Sequence, residues 1–200
     1  RFGFELLGNL AWYVLTVLAV LAFQQVIVFP ILVWVFASLS PLKFLGAIKV
    51  VMLTAFSTSS SNATLPTTMR VSEKQLKVPS EISRFVLPLG ATMNMSGTAI
   101  YLAMTTLFIA QVFGVQLSQA SQVIVVVMSI VSAVGTAGVP SGSIPLLILM
   151  LHTVGVPGGG VAIVLGVDRL LDMTRGVVNV SGDIACAAAV SRSEGYREKS

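Results

Sequence analysis

Charge is what this sequence has least of. Only 10% of its 200 residues are Asp, Glu, Lys or Arg, where a soluble domain carries roughly 25%. Residues 85 to 167 hold none at all. A water-exposed globule would not leave so long a stretch uncharged, so lipid is the solvent implied for most of the chain. The hydrophobic share of 55% and the mean hydropathy of +0.92 agree.

Other scarcities exclude whole classes. The single cysteine, Cys186, rules out a disulfide framework and any multi-cysteine metal site. The single histidine, His152, rules out a His-rich zinc or di-iron centre. The net charge of +4 is not gathered into an aromatic-interleaved basic patch, so nucleic acid is not an expected partner. The basic residues flank apolar segments, as membrane topology would place them. The chain opens on Arg1 with no signal-peptide pattern and reads as a piece with sequence missing upstream.

The first apolar run, from about Asn9 to Ser38, is long enough to span a hydrocarbon core of about 30 Å. Trp12, Tyr13 and Trp34 near its ends suggest interfacial aromatics. Phe44 to Phe56 is too short to cross, and it runs into a polar tract of small residues, Ser57 to Pro66. A short helix, a polar tip and a short return describe a re-entrant hairpin over residues 43–69, permitted only where protein or a water-filled cavity covers it. Residues 70–84 read as one charged loop, with Arg70, Glu73, Lys74, Lys77, Glu81 and Arg84.

The pattern then repeats. An apolar segment at 80–113 is interrupted at Asn94-Met95-Ser96-Gly97-Thr98, and a second hairpin at 118–152 has its tip at Gly135 to Ser143. A last helix covers 159–190, and 191–200 form a polar tail with Arg192, Arg197 and Lys199. Paired interrupted segments in two halves are the sequence pointer to a secondary transporter's midplane site. The basic residues put Lys43, Lys49, the 70–84 loop and the tail on the cytoplasmic side. Hairpin 1 then enters from the cytoplasm and uncharged hairpin 2 from outside, the two meeting tip to tip as gates. The expected fold is an all-α membrane protein: transmembrane helices plus two oppositely oriented re-entrant helical hairpins in an inverted repeat, broken at the midplane.

The last helix carries the candidate site. Asp168, Asp172, Arg175, Asn179 and Asp183 recur at helical spacing and share one stripe. Each charge at the bilayer centre costs at least about 2.5–3.5 kcal/mol, so such residues face a cavity and have partners. One reading is an internal ladder of Arg175 with Asp172 and Asp168, which leaves Asn179 and Asp183 without a role. The preferred reading presents Arg175 and Asp172 to an acidic or zwitterionic solute, with Asp183 holding a cation. Arg suits a carboxylate because its planar fork donates two parallel hydrogen bonds. Freed carbonyls around Gly90 and Asn94 are hard oxygen ligands for an alkali cation. The amides of the Ser59 to Ala63 tip, at a helix N-terminus, favour an anion.

These stretches resemble the C-terminal transport half of the glutamate/aspartate transporter family, the dicarboxylate/amino acid:cation symporters. The matching motifs are SSSNATLPTTMR (59–70), LPLGATMNMSGTAIY (87–101), GTAGVPSGS (135–143) and DRLLDMTRGVVNVSGD (168–183), in the family's order. The resemblance implies a transport domain, residues 43–195, carried by a trimeric scaffold, with residues 1–42 a scaffold-type helix and linker. It implies that Arg175, helped by Thr98, binds the substrate's side-chain carboxylate and Asp172 its amino group. Asn179 and the tip at Ser60 and Ser61 would hold the α-carboxylate, with Val139 closing over it. One sodium site would use backbone at Gly90, Asn94 and Asn179 with the Asp183 carboxylate. A second would lie between backbone at Thr92 and backbone at Ala133, Val134 and Thr136.

Four departures from patterns within the family stand out. Ser96 replaces an aspartate that serves a further sodium site. Gly176 replaces a threonine, as in members that carry dicarboxylates without an amino group, yet Asp172 is retained. Ser59 and Met173 stand where some members place an arginine, so Asp172 is expected to have few structural partners. Leu102 stands where potassium-coupled relatives have glutamate.

The implied function is sodium-coupled symport of aspartate or glutamate by alternating access, with no chemistry catalysed, no cofactor, and sodium (or proton) as coupling ion. The alternative is a proton- or sodium-coupled C4-dicarboxylate symporter. A third, from another class, is a structural or channel-like membrane fragment. The expected setting is a homotrimer, when full length, in the lipid bilayer of a prokaryotic inner membrane, with a cytoplasmic C-terminus. His152 reads as a helix-end residue, Cys186 as a small packing residue, and GVPGGG (155–160) is not a phosphate loop.

Overall fold

The computed structural model describes residues 4–196, with side chains from Leu6 onward; Arg1 and the tail residues Arg197 and Lys199 lie outside it. The described residues form helices joined by short connectors, with no strand among them. The first helix runs as α1 (Phe4–Phe23), a π turn (Gln24–Val28) and α2 (Phe29–Ala37). Pro30 explains the π turn. Its ring lacks an N–H and would clash with the carbonyl four residues back, and a widened turn relieves both. Among the described residues, Leu6–Ala37 and Ser80–Val112 are the two helices long and apolar enough to cross a membrane, and a bent pair after the first helix adds a third if counted as one span.

That pair is α3 (Pro41–Ala47) and α4 (Lys49–Thr58), which meet at 48°. Ser59, in the left-handed region at φ 51°, ends α4, and Ser60 starts α5 (Ser61–Lys74) by accepting the Ala63 N–H on its side chain. The second long segment is α6 (Ser80–Met93) and α7 (Ser96–Val112). A second helical hairpin follows, α8 (Gln119–Val134) and α9 (Ile144–Thr153), and then α10 (Ala162–Ser193).

α10 is the axis of the molecule and packs against α1, α2, α4, α5, α6 and α7. Small buried residues on it, Ser181, Gly182, Ala185, Ala187 and Ala188, let neighbouring backbones approach closely. Around it Phe44, Ile48, Val51, Leu87, Leu102, Leu147, Leu171 and Ile184 are buried in one core. Val17, Leu21, Phe29 and Val33 belong to the same core. The helix assigned by sequence to a separate scaffold unit therefore packs directly on α10.

Four expectations are corrected. Residues 70–84 are not one loop: α5 continues through Lys74 and α6 begins at Ser80, leaving 75–79 as the connector. The charges there sit on helix ends, except Lys77 in the connector. The break in the second long segment is Asn94-Met95 only, because Ser96, Gly97 and Thr98 already form the first turn of α7. Tyr13 is not an exposed interfacial aromatic. Its hydroxyl shares a 2.7 Å hydrogen bond with Thr105 and its ring stacks on Phe108, whereas Trp12 and Trp34 are exposed. Cys186 is exposed rather than packed.

Candidate functional site

The stripe on α10 exists as the spacing requires: Asp168, Asp172, Arg175, Asn179 and Asp183 are all buried. Arg175 donates from Nε and NH2 to Asp172 Oδ1 at 2.9 and 2.7 Å. Its Nη1 lies 3.7 Å from Asp168 Oδ1, within ion-pair distance, and has no hydrogen-bond partner. The guanidinium stacks over the Tyr101 ring at 4.1 Å, a cation–π contact that strengthens when desolvated. Tyr101 also donates to Asp168 Oδ1 at 2.7 Å. The internal ladder that the sequence reading ranked second is thus present, and it positions Arg175.

Asp172 is more engaged than the sequence suggested. Besides Arg175 on Oδ1, its Oδ2 accepts the Ser141 N–H at 2.9 Å. Ser141 stands at φ 57° in the tip of the α8–α9 hairpin, so one carboxylate latches that tip to α10. The reasoning from Ser59 and Met173 could not see a backbone donor arriving from another element.

Asn179 solves a different problem. The first N–H groups of α7 have no cap from Met95, and orphan donors at a helix start need acceptors. Asn179 Oδ1 accepts from Gly97 N at 2.8 Å and Thr98 N at 3.4 Å, while its Nδ2 donates to Thr98 Oγ1 at 3.1 Å. The fit requires a glycine: a β-carbon on Gly97 would lie 2.6 Å from the Arg175 carbonyl oxygen.

The two hairpin tips touch beside this stripe. Ser60 Oγ donates to Gly138 O at 2.6 Å, and Asn62 N donates to the same oxygen at 3.3 Å. Between tips and stripe lies a cavity of about 20 Å³ whose walls include Ser61, Thr98, Val139, Asp172, Arg175 and Asn179. These are six of the seven residues expected to bind substrate; Ser60 joins the tips instead of the lining. The volume is near that of one water, so an amino acid enters only if a tip moves. Three buried polar atoms without hydrogen-bond partners belong to residues of this wall: Ser59 Oγ, Ser143 Oγ and Arg175 Nη1. Buried polar groups are almost always satisfied, so three such atoms on one cavity wall point to a polar ligand. The sequence reading had not assigned a role to the Ser59 or Ser143 hydroxyl. Ser143 was placed there as the last residue of the second hairpin's polar tip.

Farther along α10, Asp183 accepts a 3.0 Å hydrogen bond from Asn94 Nδ2 and lies against Gly90. The structure thus gathers three of the four residues of the first expected sodium site, and Asn179 joins one turn away through the α7 start. No Lys or Arg pairs with Asp183 among the described residues. An uncompensated buried carboxylate is costly, and a small hard cation or a proton offsets it.

The second expected sodium set consists of backbone groups on α6 and at the end of α8. Ala133 and Thr136 are buried, Val134 is exposed, and Thr92 is exposed with its hydroxyl on Leu89 O at 2.9 Å. α6 meets the hairpin tip one residue earlier, where a β-carbon on Gly138 would lie 2.9 Å from Ala91 O.

Comparison with known proteins adds an independent line. The sequence profile of the sodium:dicarboxylate symporter family matches residues 1–193. The chain is 40% identical over 197 residues to the proton/sodium-glutamate symport protein of Bacillus subtilis, covering 98% of this chain and 45% of that one. It is 41% identical over 179 residues to mouse excitatory amino acid transporter 3, covering 90% and 34%. It is 37% identical over 183 residues to human excitatory amino acid transporter 1, covering 92% and 34%. The chain spans between a third and a half of the length of these relatives.

Proposed function

The chain belongs to the sodium:dicarboxylate symporter family, and on that premise we propose that it forms the substrate- and ion-binding part of a secondary active transporter for aspartate or glutamate. Transport is sodium-coupled symport by alternating access, with binding and release but no covalent step. The observation that carries this reading is three buried atoms without a hydrogen bond, Ser59 Oγ, Ser143 Oγ and Arg175 Nη1, on residues of one cavity wall between the two tips. A guanidinium N–H without a hydrogen bond and two hydroxyls suit carboxylate oxygens.

In this reading Arg175 takes the side-chain carboxylate beside Thr98, and Asp172 takes the amino group after Ser141 releases it. Asn179 with Ser60 and Ser61 borders the α-carboxylate, and Val139 closes over it. Sodium occupies the Gly90, Asn94, Asn179 and Asp183 site, and a second ion binds between Thr92 and Ala133, Val134 and Thr136. Release of Ser141 from Asp172 opens the outer tip; binding of the ions and substrate favours the closed one.

The same proposal makes the α4–α5 and α8–α9 hairpins re-entrant, entering from opposite faces as an inverted repeat. Residues 43–195 move as a transport domain in a homotrimer, residues 1–42 stay with a scaffold, and the C-terminus is cytoplasmic in a prokaryotic inner membrane. One observation favours a C4-dicarboxylate as substrate: Asp172 is doubly held and Gly176 offers no hydroxyl. Uptake of radiolabelled aspartate, glutamate and succinate by the natural-length protein in liposomes separates the two. An amino acid carrier accumulates aspartate or glutamate only under an inward sodium gradient. Succinate accumulation with neither amino acid taken up would make it the dicarboxylate carrier.

A further inference from the structure

A cavity of about 580 Å³ opens between α2, α6 and α10, and it shares no wall residue with the small cavity at Arg175. Apolar side chains make most of its wall, among them Phe36 of α2, Leu89 and Met93 of α6 and Ala189 of α10. Asp183 is the one charged residue on it, and Asn94 and Ser96 stand there too.

Two glycines make room for that carboxylate. Gly90 lies against it from α6, and a β-carbon on Gly182 would come 2.6 Å from Asn94 Nδ2 and 3.1 Å from Phe29 Cζ. Asp183 is 2% exposed, yet no Lys or Arg pairs with it among the described residues. Asn94 donates to Oδ1 alone, and Ser96 Oγ is buried without a hydrogen bond. The wall therefore offers a negative charge and acceptor oxygens that lack a cationic donor. An ammonium group supplies one charge, three donors and no acceptor.

The rest of the wall decides what that cation carries. An inorganic ion would neutralise Asp183 but gain nothing from the apolar side chains around it. The volume is also that of a site for a drug-sized ligand, far more than one ion fills. Phe36, Leu89 and Met93 are exposed as well as wall-forming, so the mouth is apolar. On a chain that spans a membrane such a mouth meets hydrocarbon, and a solute dissolved in the bilayer reaches it directly.

We propose that this cavity binds a hydrophobic amine from the bilayer, its ammonium group paired with Asp183 and its apolar body lying between α2, α6 and α10. The test titrates the purified natural-length protein, in sodium-free detergent buffer, with phenylbutylamine, phenylbutanol or methylamine. Calorimetry and thermal melting are the readouts. Phenylbutylamine should bind and raise the melting temperature. Phenylbutanol, without the charge, and methylamine, without the apolar body, should do neither at the same concentration. Asp183→Asn should weaken phenylbutylamine binding about thirtyfold or more, as truncating one partner of a buried charge pair does. Cys186 stands on the same wall three residues beyond Asp183, so Cys186→Trp should fill the cavity and lose the amine while sodium still raises the melting temperature. If that variant does not fold, Leu89→Trp, at an exposed position of the wall, should lose the amine in the same way. Equal binding of phenylbutylamine and phenylbutanol would overturn the proposal, as would undiminished amine binding in Asp183→Asn or in the folded Trp variant. Competition with sodium rests on the ion site proposed above: added sodium should lower the amine's apparent affinity. Asp183-dependent amine binding that sodium leaves unchanged would uphold the amine site and remove sodium from Asp183, so the two readings fail separately.

Discussion

A β-carbon on Gly90 would lie 2.6 Å from Oδ1 of Asp183 and 2.9 Å from its Cγ. The carboxylate of α10 thus sits directly on the α6 backbone, where Asn94 Nδ2 also reaches it at 3.0 Å. Glycine here is a condition of the site. Gly90→Ala should push Asp183 aside, and overpacking of about 1–3 kcal/mol corresponds to about fivefold to a hundredfold weaker sodium binding. Substrate binding titrated against sodium checks this; an unchanged midpoint would contradict it.

Asp183→Asn keeps the shape and the Asn94 neighbour while removing a buried charge without a cationic partner. Without sodium the variant should melt at or above the parent's temperature, because a desolvated charge is gone. Added sodium should raise the parent's melting temperature and leave the variant's nearly unchanged, since only a ligand that binds the native state stabilises it. A full sodium-induced shift in the variant would remove Asp183 from the ion site.

Ser60 links three things: the start of α5, the tip of one hairpin and the tip of the other. Ser60→Ala removes a cap and a buried hydrogen bond, together about 1–3 kcal/mol. The expected outcome is a lower melting temperature with weaker aspartate binding. Hydrogen exchange at residues 136–143 should rise as well; protection there equal to the parent's would show that the Gly138 contact does not hold the tip.

Much of this site was legible because membrane depth makes charges conspicuous. The α10 stripe and the polar tips follow from ionisable or helix-breaking residues set in apolar surroundings, and the grouping of Gly90 and Asn94 with Asp183 was implied by the family resemblance. What escaped had no such contrast. Tyr13 lies in a helix apolar on every face, where periodicity cannot tell the buried side. The helical state of residues 70–74 and 80–84 was hidden by their charge, which marks exposure and not backbone conformation. The Asp172–Ser141 latch uses a backbone N–H brought from another element, and side-chain types do not announce it.

Ser96 lines the same apolar cavity as Asp183 and Gly90, and its buried Oγ has no partner. A hydroxyl supplies a dipole but no neutralising charge for an alkali ion. Ser96→Asp should therefore steepen the dependence of log substrate affinity on log sodium concentration, where the remaining ligands are present. The parent should show a shallower slope than Asp-bearing relatives. An equal slope in those relatives and the parent would show that Ser96 leaves the ion site intact.

The central claim is that Arg175, held by Asp172 and Tyr101 in a cavity closed by two tips, binds the acidic group of a sodium-coupled substrate. The direct measurement is sodium-driven uptake of radiolabelled aspartate by the natural-length protein in liposomes, alongside Arg175→Cys and Asp172→Asn. The parent should concentrate aspartate only under an inward sodium gradient. Arg175→Cys should lose acidic substrate while gaining room for a neutral amino acid, and Asp172→Asn should lose aspartate. Aspartate uptake undiminished in Arg175→Cys, or uptake in the parent indifferent to sodium, would contradict the account.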